Sequence, residues 1–204
     1  MRLSIVVGIF ASLIATSVRA SVISGPITSP ENGHTYYLLS QDTWTNSEAE
    51  AVSLGGTLAI ARNATENNYL TTTFGVNRNL WIGLWDPAKD NATDASHAAN
   101  FAWVDGDTST FRNWVGHEPN NTNAHNEWYV LSWGNVQDVT SDSSVRAYGG
   151  WADVSNNPGS GLVEPFGVVE VTPEPASIGI AVVAGLLALL TQRRRRTRCT
   201  PEHS

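Results

Sequence analysis

Short apolar segments, most of them containing a tryptophan, recur along the middle of the chain and constrain its fold more than any other feature. They are 54–59, 81–84, 103–106, 113–114, 128–130 and 167–170, and Trp44 precedes them. The chain has eight tryptophans but a single cysteine, Cys199, which follows a separate apolar run. No disulfide can therefore form between Tyr36 and Val171. We expect one domain that is stabilised by the packing of buried aromatic and aliphatic side chains.

Capping residues and apolar runs predict a mixed α+β domain. Thr45 and Glu48 have capping-box spacing, which predicts a helix to about residue 54, and Asn63 is expected to cap a second helix that ends near residue 74. Strands are predicted at 35–39, 57–61, 80–85, 101–104, 127–133, 150–154 and 167–171. Residues 21–34 are expected to be a lead-in segment, and residues 86–100, rich in Asp, Asn, Ala and Thr, an exposed loop.

One polar stretch has the composition of a site for a hard cation. Glu118 and Asn120 lie two residues apart across Pro119, so an extended backbone directs both side chains to the same face. Glu127 and Asp153 supply two further carboxylates. Calcium takes about six to eight oxygen ligands from carboxylates, amide carbonyls, backbone and water. These four side chains predict a calcium site with places left for water or a ligand.

Two motifs resemble those of a known family, the C-type lectin-like domain. Glu-Pro-Asn at 118–120 resembles its mannose-type sugar motif, and Trp-Ala-Asp at 151–153 is similar to its Trp-Asn-Asp motif. The tryptophan-containing segments follow in the family's order. The resemblance implies a C-type lectin-like α+β fold over residues 35–172, with two helices against small antiparallel sheets and a long ligand-binding loop. It also implies that the last strand pairs with the first and that the peptide before Pro119 is cis.

The resemblance further implies a function and a set of site residues. In the family, calcium is held at the positions that are Glu118, Asn120, Glu127 and Asp153 here, and a sugar replaces water on the metal. Two neighbouring sugar hydroxyls then contact the calcium and the same side chains. The Glu-Pro-Asn order implies a mannose, glucose or fucose ligand. We therefore expect a calcium-assisted carbohydrate-binding protein that binds a glycan or an extracellular polysaccharide.

The chain departs from the family pattern in two ways. Ala152 has no side-chain oxygen or nitrogen, so one metal ligand and one hydroxyl donor are missing and the calcium site is expected to be weak. On this interpretation, Ala152→Asn tightens calcium binding. The family's two disulfide bridges would join positions that are Ala51, Tyr129, Asn156 and Val169 here. An alternative function is therefore a calcium-independent structural or adhesive protein with a degenerate sugar site.

The first residues are typical of a secretory signal peptide over 1–20. Arg2 is followed by the apolar run 3–14, and small residues lie around position 20, which predicts cleavage before Ser21. The alternative is a buried N-terminal helix. A signal peptide implies export across the inner membrane.

The other end resembles the PEP-CTERM sorting tail of Gram-negative bacteria over residues 173–198, with 199–204 as a cytoplasmic end. The apolar run 178–190 is shorter than the ~20 residues of an ordinary spanning helix, but the arginine cluster after it is typical of a stop-transfer segment. The resemblance implies processing by an exosortase, transient membrane insertion of 178–190, and retention at the cell surface, in the outer envelope or in extracellular matrix. The motif residues are Pro173, Glu174, Pro175, Arg193, Arg194, Arg195 and Arg196.

Charge and motif content exclude several classes of function. Between residues 21 and 172 the chain has five basic and seventeen acidic residues, and such a surface repels nucleic acid and anionic lipid headgroups. Gly-x-Ser-x-Gly, His-Glu-x-x-His and phosphate-loop motifs are missing from the sequence. Some enzymes with a related fold use paired active-site cysteines, and this sequence lacks such a pair. We predict a protein that is not an enzyme and does not bind nucleic acid.

Two further interpretations concern the residues around the motif. His117 and His125 flank Glu-Pro-Asn and, with a neighbouring glutamate, have the ligand types of a zinc site, although histidines in polar loops are more often solvated. Some tryptophans could stack on a sugar ring instead of packing in the core. The candidates are Trp85, Trp128 and Trp133.

Overall fold

A computed structural model describes residues 20–89, 94–122, 126–134, 148–157 and 165–173. In these ranges the chain forms eight strands and three helices. In order they are β1 (Val22–Thr28), β2 (Thr35–Gln41), α1 (Trp44–Ser53), β3 (Thr57–Leu58), α2 (Ala64–Phe74), β4 (Leu80–Trp85), α3 (Asp94–Asn100), β5 (Ala102–Trp103), β6 (Tyr129–Ser132), β7 (Trp151–Val154) and β8 (Phe166–Val171).

The eight strands belong to one sheet, whose main path has the order β1-β2-β8-β4-β6-β7. Strand β3 pairs with β8, and β5 pairs with β4. The predicted α+β class is confirmed. The strands form a single connected sheet because β4 and β8 pair in parallel, with Leu80 opposite Phe166. The last strand, β8, pairs with β2, the first strand predicted from the sequence, which places Val169 opposite Tyr37.

The lead-in segment predicted for residues 21–34 is wrong in part, because strand β1 forms there and pairs antiparallel with β2. Val22, Ile23 and Ile27 are β-branched residues that favour a strand. Pro26 is compatible with this assignment because β1 is an edge strand, where a missing backbone N–H leaves no partner unsatisfied.

The predicted helices α1 and α2 are both present, with one correction. Asn63 caps α2 as predicted, since its side chain accepts a hydrogen bond from the Glu66 N–H at 3.0 Å. Helix α1, however, is capped by Thr43, whose side chain accepts from the Asn46 N–H at 3.3 Å. The predicted capping box fails because Glu48 accepts instead from the Leu58 N–H at 2.8 Å.

The exposed loop predicted for 86–100 is also wrong in part. Helix α3 forms near its end, and the side chains of Asp86 and His97 are both 0% exposed. The polar composition was misleading because these two residues are buried against each other and against Asp153, which lies far along the chain. A third helix therefore joins the two that were expected.

At the positions where the family resemblance places disulfide cysteines, this chain has residues that form packing contacts and hydrogen bonds. Ala51 and Val169 are fully buried in one apolar cluster. The ring of Tyr129 lies 4.9 Å from that of Trp44, and Asn156 forms hydrogen bonds with the first residues of α1. The expectation that packing replaces the crosslinks is consistent with these contacts.

No helix within the described ranges is long and apolar enough to cross a membrane. Residues 1–19 and 174–204 lie outside those ranges. They include most of the predicted signal peptide, the predicted apolar segment 178–190 and the arginine cluster.

Candidate functional site

The loop that contains Glu-Pro-Asn runs alongside β7. The Val115 N–H donates to the Trp151 carbonyl at 3.0 Å, and the Trp151 N–H donates to the Asn113 carbonyl at 2.8 Å. The Trp151 indole is fully buried and donates to the Asn67 side chain of α2 at 2.8 Å. A turn follows, in which the Glu118 N–H donates to the Val115 carbonyl at 3.0 Å. Strand β7 and its core tryptophan therefore fix where the loop begins.

The backbone at the turn has an unusual conformation. The peptide between Glu118 and Pro119 is cis, as expected. His117 and Asn121 have positive φ angles of 64° and 46°, in the left-handed region that histidine and asparagine adopt more readily than most residues. The residues after this turn contact β7, since the amides of Asn120 and Asn121 donate to Asp153.

Asp153 is the central acceptor of the loop. Its Oδ1 accepts a hydrogen bond from the Asn120 N–H at 2.9 Å, and its Oδ2 accepts from the Asn121 N–H at 2.8 Å. The Nε2 atom of His97 lies 2.9 Å from the same Oδ2 atom. Burial works to raise the pKa of Asp153, but the hydrogen bonds from His97, Glu118 and the two amides together lower it. Asp153 is therefore held in its ionised form.

Glu118 has the opposite electrostatic setting. Burial raises its pKa well above the usual range, and the hydrogen bond with Asp153 and the negative charges of Asp153 and Glu127 raise it further, while the Asn120 side chain lowers it. Glu118 therefore keeps its proton near neutral pH and shares it with Asp153. Its Oε2 atom is buried and has no hydrogen-bond partner within the described residues.

Glu127 closes the other side of the loop. Its Oε2 accepts from the Thr122 N–H at 2.7 Å, and its own N–H donates to the side-chain oxygen of Asn121 at 3.0 Å. The Thr122 N–H also lies 2.9 Å from the side-chain oxygen of Asn120. Asn121 is fully buried, although the sequence offered no role for it. Direct contacts and backbone amides thus bring together three of the predicted site residues in the loop and the fourth, Asp153, in β7.

Asp86 and His97 extend this network beneath the loop, and sequence reasoning missed both. Asp86 directly follows β4, and its Oδ1 accepts from the Ala88 N–H at 2.8 Å, which forms a turn. Its Oδ2 lies 3.4 Å from Nδ1 of His97. The ring of Phe101 packs edge-on against that histidine at 4.8 Å. The available sequence signal was the alanine-rich stretch 94–100, whose composition favours a helix.

The side-chain oxygens that would bind calcium are not arranged to do so in this structure. Both oxygens of Asp153 accept hydrogen bonds, and so do Oε2 of Glu127 and the side-chain oxygen of Asn120. Glu118 would have to lose its proton before it could bind a metal. Among the described residues, no three His, Cys, Asp or Glu side chains are arranged to hold a metal ion.

The side chain at position 152 does not point toward the predicted calcium ligands. Side chains alternate along a strand, so Ala152 faces away from Asp153, and it is buried in an apolar cluster that includes Val115 and Leu131. An asparagine at this position would enter that cluster and not the loop. The idea that position 152 supplies a missing ligand is therefore not supported by the geometry.

The structure bears differently on the predicted zinc site and on the predicted stacking tryptophans. His117 is exposed, and His125 lies outside the described residues, so the zinc site stays a prediction. Trp133 is buried, which removes it as a stacking surface. Trp85 and Trp128 are half-buried, and the ammonium of Lys89 lies over them at 5.5 and 5.9 Å from the ring centres. These two rings remain the candidates for sugar stacking.

Comparisons with known proteins agree with the family resemblance. The family model described as Lectin C-type domain matches residues 40–148. Ladderlectin from Oncorhynchus mykiss is 28% identical over 95 residues, which are 45% of this chain and 46% of that protein. The chain thus spans about half the length of this curated relative.

Solved structures share the fold at low sequence identity. The C-type carbohydrate-recognition domain of cow CD23, solved in the presence of a GlcNAc2Man3 oligosaccharide, is 22% identical with a TM-score of 0.51, over 70% of this chain and 90% of that one. A calcium-independent type II antifreeze protein is 18% identical with a TM-score of 0.50, over 74% and 95% of the two chains. Identities this low support the fold alone.

Proposed function

The chain belongs to the C-type lectin domain family, and on that premise we propose that it is a non-catalytic carbohydrate-binding protein. Its ligand site is the loop that carries Glu118, Asn120 and Glu127, together with Asp153 of the adjacent strand β7. The family and its fold are generally non-catalytic, and the acidic surface suits a neutral glycan better than an anionic polymer.

The observation that carries this proposal is the buried Oε2 atom of Glu118. A buried acceptor without a partner is costly, by about 1–3 kcal/mol. A sugar hydroxyl is a donor that would satisfy it, and the amide side chain of Asn120 lies next to it as a second polar contact. An acceptor and an amide placed side by side suit two neighbouring hydroxyls of one sugar ring. The Glu-Pro-Asn resemblance makes mannose, glucose and fucose the first hexoses to test.

We favour direct binding over calcium-assisted binding for this loop. Calcium would require Glu118 to lose its proton and would compete with the donors that already contact Asp153. Direct binding requires that the loop open enough for a sugar hydroxyl to reach the buried Oε2 atom of Glu118. The second candidate function is a structural or adhesive protein that binds no sugar. It is supported by the oxygens of Asp153, Asn120 and Glu127, which already accept hydrogen bonds from the loop backbone.

The test is a panel of immobilised glycans that end in mannose, glucose, fucose or galactose, probed with the purified protein and with Glu118→Ala. We expect binding to the mannose-type group and a loss of about 5- to 100-fold in affinity for the variant, the range expected for one or two buried hydrogen bonds. Glu31→Ala, in the exposed turn between β1 and β2, is the matched control and should bind normally. Equal binding by Glu118→Ala would place the site elsewhere, and no binding to any glycan would favour the adhesive function.

We also propose that the protein is exported and sorted through its two ends. A signal peptide over 1–20 and an exosortase-processed tail over 173–198 would leave the domain at the cell surface or in extracellular polysaccharide. Mass spectrometry of the protein isolated from envelope and culture medium is the test. We expect a species that begins at Ser21 and ends near Pro173, and a full-length chain confined to the cytoplasm would contradict this.

A further inference from the structure

Three aromatic rings converge on the ammonium group of Lys89, which follows β4. The nitrogen lies over the rings of Trp85, Tyr129 and Trp128, at 5.5, 5.6 and 5.9 Å from their centres. A cation within about 6 Å of the centre of an aromatic ring is attracted by the negative face of the ring. Among the described residues, no ion pair involves Lys89. The three rings, here called the aromatic cage, are therefore the groups that hold this charge.

The aromatic cage is fixed by the core beneath it. Trp85 of β4 pairs with Tyr129 of β6, and the ring of Trp44 packs against both, at 5.8 and 4.9 Å between centres. The Asp86 N–H donates to the Trp128 carbonyl at 2.8 Å, which joins the third ring's backbone to the end of β4. Rings that are held in place before a ligand arrives lose little conformational freedom when it binds.

The lysine, in contrast, is weakly held. Lys89 is exposed, and the contact of an exposed ammonium with aromatic rings contributes little stability. A primary ammonium is also a strongly hydrated point charge, so this side chain can leave the cage for water with a small loss of free energy. A quaternary ammonium has no N–H groups to solvate, and aromatic rings around a cation are the usual means of recognising it.

We propose that the aromatic cage binds the trimethylammonium group of a choline-type ligand, which displaces Lys89. The excess of acidic residues between 21 and 172 attracts such a cation. The arrangement favours a cation over a stacked sugar, because a sugar ring lies on one open face, whereas three rings here converge on one point and Tyr129 is 4% exposed. The cage uses none of the oxygens of the carbohydrate loop, so this site goes beyond the proposed function.

The first test follows the indole N–H signals of the purified protein by NMR while choline is added. We expect saturable shifts of Trp85 and Trp128 and no shift of the buried Trp151, which belongs to a different core cluster. The neutral analogue of choline, in which carbon replaces nitrogen, should cause no comparable shift. Equal shifts with the neutral analogue, or none with choline, would overturn the proposal. Shifts of the same two indoles with methyl mannoside but not with choline would identify a sugar-stacking surface instead.

The second test changes the cage and its lysine. Lys89→Gln keeps the length of the side chain but removes the competing cation, and we expect it to bind choline about 2- to 5-fold more tightly. Arg78→Gln, which removes a positive charge from a different aromatic contact, is the matched control and should leave the affinity nearly unchanged.

Trp85→Leu should weaken choline binding by about 5-fold or more, since it removes one wall of the cage. If that variant fails to fold, Trp128→Leu replaces it, because Trp128 precedes β6 and is half-buried. Unchanged or weaker binding by Lys89→Gln, or full binding by the folded tryptophan variant, would contradict the proposal.

The same chemical group occurs on lipid headgroups and on soluble phosphocholine compounds, and two probes distinguish these sources. Sedimentation of the protein with phosphatidylcholine vesicles would identify a lipid headgroup as the ligand. Soluble phosphocholine that shifts the Trp85 and Trp128 indoles, without sedimentation by vesicles, would identify a soluble ligand. Binding to neither probe would overturn the proposal.

Discussion

At the scale of single residues, Ala152 and Asp153 show how two neighbours in one motif serve different purposes. Asp153 faces the loop and accepts its amides, while Ala152 faces an apolar cluster on the other side of β7. The family's middle asparagine thus has no equivalent role in this geometry. Introducing asparagine at position 152 separates two interpretations. The sequence motif predicts tighter calcium binding, whereas the structure predicts no gain in calcium binding.

We expect Ala152→Asn to lower the free energy of unfolding by about 1–3 kcal/mol, because an amide would be buried without partners. Calcium binding should not improve. Denaturant unfolding with and without calcium measures both effects, and Ala102→Asn, at an exposed position of β5, is the control. A variant that gains calcium affinity at unchanged stability would support the family ligand set instead.

Glu48 gives a prediction on pH dependence. Burial raises its pKa from 4.5 to about 7, the hydrogen bond from the Leu58 N–H lowers it, and the charge of Asp105 raises it. Because the folded-state pKa is above the unfolded one, the folded state binds the proton more tightly. The resulting stability is fully present below about pH 4.5 and is lost as the pH rises through 7.

We therefore expect Glu48→Gln to be more stable than the unmodified protein at pH 8, by on the order of 1 kcal/mol after allowance for partial exposure. The difference should vanish near pH 4, since glutamine still accepts from the Leu58 N–H. Unfolding curves across this pH range measure it, with Glu50→Gln on the same helix as control. Parallel pH profiles for Glu48→Gln and the unmodified protein would rule out this role of Glu48.

At the scale of elements, hydrogen bonds join α1 to the end of β7. The Thr45 N–H donates to Oδ1 of Asn156 at 3.0 Å, and the Asn156 amide donates to the Thr45 hydroxyl at 3.1 Å. The Trp44 N–H also donates to the Asn156 carbonyl at 3.4 Å. Asn156 is one of the positions where the family would have a disulfide cysteine.

We expect Asn156→Ala to lower the free energy of unfolding by about 1 kcal/mol, since it removes both side-chain hydrogen bonds. Asn156→Asp should cost less, because it keeps the acceptor for the Thr45 N–H and adds a negative charge at the N-terminus of α1, where the helix dipole favours it. Thermal unfolding of the two variants provides the comparison. Equal loss in both would mean that the contacts to Thr45 contribute little.

The elements also show which sequence signals were sufficient. Asn63 and the dense apolar run of β4 predicted their elements because a cap and a buried strand depend on adjacent residues. Strand β1 and helix α3 were missed. Strand β1 is defined by its pairing with β2, and the polar side chains of α3 gave no apolar periodicity. Local patterns cannot reveal elements whose stability depends on distant partners.

At the scale of the whole molecule, the order of the motifs was enough to predict that Asp153 of β7 lies against the loop that carries the other three site residues. The residues beneath that loop were not predictable, because Asp86, His97 and Asp153 meet only after β4, α3 and β7 have packed together. Their contact also changes the expected chemistry. Asp153, expected to be a calcium ligand, is instead the acceptor for a buried histidine and two loop amides.

The loop is proposed to bind a neutral sugar without a metal ion. A calorimetric titration of a mannose-rich polysaccharide into the purified protein, first in excess EDTA and then in millimolar calcium, tests this directly. We predict binding with the same affinity and enthalpy in both buffers. Binding that appears only with calcium, or no binding in either buffer from a folded protein, would contradict the claim.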